Sequence, residues 1–237
     1  MAFNFANQLI AWHAEHRRTG MPWQNTRDPY AIWVSEIMLQ QTQVSAVSER
    51  YQRFLKRFPT LKSLAKAPID DVMALWSGLG YYSRARNLHR CAQIIMVEHG
   101  GDFPRTREAL ESLPGIGRST AGAITAFAFE ERSPILDANV KRVLSRFYGI
   151  EGDLQDQKTI KELWLKAEAQ LPSVTAKMPI YTQALMDFGA TWCTPKHAKC
   201  LEVKAQCPMT RHCTAYQTKR VNEIPAKKKK SASPSFQ

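Results

Sequence analysis

The chain has 237 residues, 44% of them hydrophobic, enough to bury a core in one domain or two closely packed lobes without staples. No apolar run approaches the roughly 18 residues of a membrane span, and no basic segment followed by a continuous apolar one opens the chain, so a cytoplasmic protein is expected, nucleoid-associated if bacterial, with no membrane partner. The formal charge is +12, and setting aside Lys227 to Lys230 still leaves eight of those charges, an excess that points to a polyanion, with nucleic acid first.

Apolar spacing is helical nearly everywhere, beginning with Phe5, Leu9 and Trp12, and no convincing strand is found. Asp28 ahead of Pro29 marks a helix start, and the run from Ile32 to Leu39 follows it. Thr42 marks the next start, before Val44, Val47, Tyr51, Phe54, Leu55 and Phe58. Pro59, Gly78, Gly100 and Pro172 mark stops, and Thr106 with Glu108 in the following turn marks a further start. An all-α fold of about ten short helices is predicted. Cys91, beside Leu88, Ala92 and Ile95, reads as core packing. From about Ala226 the composition turns to Lys, Ser and Pro, so 226–237 is expected to be a basic tail or linker.

Four features carry chemistry. Glu36 is the single carboxylate in the apolar run Ile32 to Leu39, so it is either paired in a buried salt bridge or kept partly protonated, as a general acid must be. Leu113 to Ala121 sets two glycines, Gly115 and Gly117, in a tight turn ahead of a helix, which is a plain turn or a cradle of backbone N–H groups for a phosphate. Asp137 precedes a helix carrying Val140, Val143, Leu144 and Phe147, where a carboxylate can cap the helix, serve as a reactive anion, or do both. Cys193, Cys200, Cys207 and Cys213 cluster near the C-terminus among Lys196, Lys199, Lys204 and Arg211. With no secretory leader this argues for metal ligation, by an iron–sulfur cluster or zinc equally, in an electropositive loop.

Taken together, Leu39-Gln40-Gln41-Thr42-Gln43-Val44, the run Gly78 to Leu88, the glycine hairpin, Ile135-Leu136-Asp137-Ala138-Asn139-Val140 and the late cysteines resemble the MutY-type adenine DNA glycosylases of the endonuclease III superfamily, from about Trp12 to Cys213. The resemblance implies a helix-hairpin-helix glycosylase fold, with a six-helix barrel lobe at 22–132 and a cluster-bearing helical lobe at 1–21 and 133–225. It implies a [4Fe–4S] cofactor on the four cysteines and, as partner, double-stranded DNA containing A:8-oxoguanine or A:G mismatches. A monomer is expected.

Under this resemblance Glu36 protonates the adenine, Asp137 stabilises the sugar cation or briefly bonds to it, and Asn139 orients that site. Gln41 and Tyr81 wedge into the base stack, while Trp23, Leu39 and Gln183 belong to the adenine pocket. Gly115 and Gly117 belong to the hairpin that holds a phosphate. Ser119 stands where the lyases of the superfamily carry an attacking lysine, so a monofunctional hydrolase is expected, with Lys141 the nearby amine for any residual lyase action. The sequence departs from the family in its cysteine spacing, C-x6-C-x6-C-x5-C in place of C-x6-C-x2-C-x5-C. Most members carry a further C-terminal 8-oxoguanine-recognition domain, which a sequence running to Gln237 is not expected to reach, so either it is a fragment or its preference for oxidised guanine is weakened. The rivals are a thymine mismatch glycosylase of the same superfamily, which needs no purine-protonating acid, a non-catalytic damaged-DNA binding module, and a ferredoxin-like carrier, against which the small share of the chain occupied by cysteines argues.

Overall fold

The structure, a computed structural model, describes residues 3–24, 26–202 and 206–226. Among the described residues there are twelve α-helices and no strand: α1 (Phe5–His16), α2 (Pro29–Leu39), α3 (Val44–Arg57), α4 (Leu61–Ala65), α5 (Ile69–Trp76), α6 (Ser83–Glu98), α7 (Arg107–Glu111), α8 (Arg118–Phe129), α9 (Ala138–Tyr148), α10 (Gln157–Ala169), α11 (Met178–Thr191) and α12 (Thr214–Gln217). No helix is long and apolar enough to cross a membrane. The chain divides into two compact units, His16–Ile135 with Leu171–Thr182, and Met1–Glu15 with Leu136–Gln170 and Gln183–Gln237. Lys204 and the tail beyond Ala226, including Lys227 to Lys230, lie outside the described residues.

Local sequence accounts for several helix starts in the first unit. Asp28 accepts the Tyr30 amide at 3.0 Å, and Pro29 supplies a helical φ without an orphan donor. Thr106 accepts the Ala109 amide in the same way. Thr42 departs from expectation: α3 is capped at Gln43 without a side-chain bond, because the Thr42 hydroxyl is committed to the Gln40 carbonyl and to Arg84.

Helix α2 is the axis of this unit, packing on α3, α6 and α8, with every residue from Tyr30 to Met38 buried except Glu36. Trp33, Phe54, Phe58, Trp76, Leu88, Ile95, Leu110 and Ile124 complete the core. Each such side chain contributes about 1.5–3 kcal/mol when withdrawn from water. Cys91 is fully buried among them, and burial pushes its thiol up to about 12, in keeping with a packing role.

In the second unit α10 and α12 pack on α9, and α1 meets α9 and the later part of α11 through aromatic side chains. Phe5 meets Phe147 edge-on at 4.8 Å, and Trp12 meets Phe188 and Trp192 edge-on at 5.0 and 5.7 Å.

Candidate functional site

In the first unit, Glu36 is the half-buried carboxylate of an otherwise buried stretch of α2 and is engaged within the protein. Leu39 ends the same helix, and Trp23 packs edge-on against Tyr51 at 5.6 Å. Two loops follow the ends of α2 and α5. In the first, Gln41 is exposed with φ 56°, and in the second, Tyr81 is 60% exposed with φ 46°. Left-handed backbone at non-glycine residues costs on the order of 1–3 kcal/mol each and persists only where the surroundings impose it. Arg84 donates to carbonyls on both loops, Gln40 beside Gln41 and Leu79 just before Gly80 and Tyr81. Sequence reading missed Arg84, which lies inside a quoted motif but carries no periodic or spacing signal.

The hairpin joins α7 to α8. Gly115 has φ +79°, and a Cβ there would stand 2.9 Å from Asn87 Cβ, so both backbone conformation and close approach require glycine. Gly117 caps α8 with no side chain over the first-turn N–H groups, which have no intrahelical acceptors. Gln40 Nε2 donates to Thr120 Oγ1 at 3.2 Å, tying the Gln41 loop to the hairpin helix. Ser119 lies in the first turn of α8, half-buried and already engaged. That turn can hold an anion by its dipole and backbone amides.

In the second unit, Asp137 is the N-cap of α9, with Oδ1 accepting the Val140 amide at 2.7 Å. Burial pushes its carboxyl above the ordinary aspartate range, against the opposing pull of the Val140 and Asn139 amides and of Arg142. Arg142 Nη2 donates to Asn139 Oδ1 at 2.9 Å and to the Gly189 carbonyl at 2.7 Å, and its Nε donates to the Cys193 carbonyl at 2.7 Å. Gln183 Nε2 donates to Asp187 Oδ1 at 2.8 Å, and the other oxygen of this fully buried carboxylate lies 3.2 Å from His13 Nε2. A carboxylate only accepts, so it fixes which end of the Gln183 amide is left over: the carbonyl oxygen. Lys141 Nζ donates to the Leu154 carbonyl at 3.2 Å.

The four clustered cysteines line one pocket together with Arg146, Phe147, Phe188, Trp192 and Met209. Arg146 Nη1 donates to Cys193 Sγ at 3.4 Å, and Cys213 Sγ donates to the Arg146 carbonyl at the same distance. Burial pushes the Cys200 thiol up to about 11 and Cys207 up to about 12, and raises Cys213 as well. Among the described residues no group of three or more His, Cys, Asp or Glu side chains is gathered to hold a metal ion. Four sulfurs spread around a common apolar pocket with one guanidinium are nonetheless a donor set that fits an iron–sulfur cluster, which spreads its thiolates over several irons. The expected electropositive loop is only partly free: Lys196 and Arg211 are exposed, whereas Lys199 folds its amine over Trp192 at 5.3 Å from the ring centre.

A helical chain with a glycine hairpin, a capping aspartate and late cysteines defines a class of DNA-repair fold. The sequence profile described as "HhH-GPD superfamily base excision DNA repair protein" matches residues 34–169, and the chain belongs to this superfamily. Within it, the chain is 41% identical over 226 residues to the adenine DNA glycosylase of Buchnera aphidicola subsp. Schizaphis graminum, covering 95% of this chain and 63% of that protein. It is 42% identical over 231 residues to the adenine DNA glycosylase of Buchnera aphidicola subsp. Acyrthosiphon pisum, covering 97% of this chain and 64% of that one. The chain therefore spans a little under two thirds of the length of these relatives. The solved structure of a thermostable thymine-DNA glycosylase superposes with a TM-score of 0.80 at 31% identity, covering 90% of this chain and 95% of that one.

Proposed function

We propose that the chain is the catalytic region of a monofunctional adenine DNA glycosylase, which hydrolyses the N-glycosidic bond of adenine opposite 8-oxoguanine or guanine in duplex DNA. The observation that carries this reading is Glu36, a lone half-buried carboxylate in the buried stretch of α2, because a purine leaves as a neutral base only after a proton is delivered to it. As the bond between C1′ and the base nitrogen breaks, positive charge develops on the sugar. Asp137 supplies the opposing anion, and water adds to C1′ to complete hydrolysis, as in glycoside cleavage. Burial of Asp137 strengthens this attraction and is also why its carboxyl is raised.

Asn139, held by Arg142, orients the Asp137 end of α9. The Gln183 carbonyl oxygen suits the exocyclic amino group of adenine, and Trp23 and Leu39 supply apolar contact to the base. Gln41 and Tyr81 fill the stack vacated by the extruded nucleotide. The hairpin of Gly115 and Gly117, through the first-turn amides of α8 and with Ser119, holds a backbone phosphate, which fixes register without reading sequence. Ser119 offers no amine, so strand cleavage through a Schiff base is not expected. Cys193, Cys200, Cys207 and Cys213 would hold a [4Fe–4S] cluster, which when bound would pin the C-terminal loop. DNA is the partner, the chain acts as a monomer, and it works in the cytoplasm, nucleoid-associated if bacterial.

A second reading, thymine removal from T:G pairs, is favoured by the likeness to the thymine-DNA glycosylase structure. Duplexes carrying A:8-oxoguanine, A:G, T:G and A:T separate the two. The expected result is adenine release from the first two only, reduced about a thousandfold by Glu36→Gln or Asp137→Asn. Intact adenine in both mismatches after prolonged incubation with the wild-type chain sinks the proposal.

A further inference from the structure

Arg84 stands in the first turn of α6 and is only 9% exposed. Its Nη1 donates to the carbonyls of Ile37 at 2.9 Å, Met38 at 3.0 Å and Gln40 at 2.6 Å. Its Nη2 donates to Thr42 Oγ1 at 3.1 Å and to the carbonyls of Leu79 at 2.9 Å and Gly80 at 3.2 Å. The guanidinium carbon lies 5.4 Å from the Trp76 ring centre and 5.5 Å from that of Tyr81. At the end of α2 the Ile37 carbonyl takes the Gln40 amide at 3.4 Å and the Leu39 carbonyl takes the Thr42 amide at 3.3 Å, and the guanidinium adds a donor at Ile37 and serves Met38 and Gln40 while binding the loop that precedes α6. One planar group thus serves both loops whose tips, Gln41 and Tyr81, hold left-handed backbone.

We propose that Arg84 is a positioning residue that locks the Gln41 and Tyr81 loops into one rigid wedge, so that both side chains enter the base stack together as the target nucleotide is extruded. This rests on the adenine glycosylase reading. Arg84 touches neither base nor sugar in this role, and its effect passes through the geometry of the loops. The planar fork is what the task needs, because it reaches acceptors on two sides at once. A lysine ammonium offers three donors from one point, too few and too close together for the six acceptors that the fork reaches. The Gln40 amide, bonded to Thr120, passes the constraint on to the hairpin helix.

The test uses Arg84→Lys, and Thr42→Val as a milder variant that removes one acceptor, in the full 237-residue chain. The probe is a duplex with 2-aminopurine in place of the target adenine opposite 8-oxoguanine, whose fluorescence rises on unstacking. Single-turnover adenine release and affinity for an undamaged duplex are measured alongside. Arg84→Lys is expected to lower the unstacking signal and adenine release together, by about tenfold, while affinity for undamaged duplex stays within about twofold. Thr42→Val is expected to do the same to a smaller extent, and it decides the question alone if Arg84→Lys fails to fold. Wild-type unstacking in a folded Arg84→Lys chain, or in Thr42→Val where only that variant folds, overturns the proposal. So does a loss of adenine release with unstacking intact. If the wild-type chain unstacks the probe yet releases no adenine, the adenine reading falls and the wedge stands. If it does not unstack the probe at all, the wedge falls.

Discussion

Asp137 accepts the Val140 amide at 2.7 Å while its own carboxyl is pushed above the ordinary aspartate range by burial. One side chain therefore caps α9 favourably and opposes folding whenever it carries charge. A carboxyl raised in the fold favours the folded state while protonated, and that advantage is lost as pH rises from the ordinary aspartate value through the raised one. Asp137→Asn keeps a capping oxygen without the charge, so at neutral pH it should melt above wild type while losing about three orders of magnitude in adenine release. The melting gap should close as pH falls into the ordinary aspartate range. Asp137→Ala loses the cap and should be about 1 kcal/mol less stable than Asp137→Asn. Thermal melts across pH check all three statements, and an Asp137→Asn chain that melts below wild type at neutral pH contradicts the first.

Arg142 gathers Asn139 Oδ1 and the carbonyls of Gly189 and Cys193 on one guanidinium, although burial lowers its pKa. Arg142→Met keeps the apolar stem but strands three acceptors, two of them backbone carbonyls. A cost of about 3 kcal/mol is expected from denaturant unfolding. Asn139 would also be free to turn, so single-turnover adenine release should fall in protein that is still folded. Full activity in folded Arg142→Met would show that the Asn139 contact does not matter to the Asp137 end of α9.

The helices, their buried faces and the Asp28 and Thr106 caps were legible because each is written in local periodicity or in one short-range side-chain bond. The two carboxylates were legible as single acids set against apolar surroundings. Arg84, Arg142 and Arg146 were not. Each bonds carbonyls far away in sequence, such as Arg84 with Ile37 and Arg146 with Ile224, and a carbonyl acceptor has no residue type to read. Thr42 shows the same limit: its hydroxyl looks like a helix cap locally, and a distant guanidinium takes it. Asp187 was also missed, because nothing in its surroundings predicts that a fully buried carboxylate meets both His13 and Gln183.

The cysteine set makes a prediction independent of catalysis. Protein produced with iron available should be brown and contain iron, and Cys207→Ser should lower both iron content and visible absorbance. The spacing of Cys200 and Cys207 leaves Leu201 to Gln206 between them, and shortening that stretch by four residues should leave iron content unchanged. Colourless, iron-free wild-type protein that still releases adenine would show that these sulfurs do another job.

Two glycines of the hairpin helix separate stability from binding. A Cβ on Gly122 would stand 2.2 Å from the Pro134 carbonyl oxygen, a backbone atom that cannot move aside cheaply. Gly122→Ala should therefore destabilise the first unit by about 1–3 kcal/mol in denaturant titrations. A Cβ on Gly117 meets nothing within 4 Å, and its φ of −88° suits any residue, so Gly117→Ala should leave stability within about 0.5 kcal/mol of wild type. The open space that makes the substitution harmless to folding is where a phosphate would approach the amides at the start of α8. Affinity of Gly117→Ala for duplex DNA should fall about tenfold on any sequence, because a backbone contact is lost rather than a base contact. Unchanged affinity in the stable Gly117→Ala chain would remove the hairpin from the DNA-binding surface.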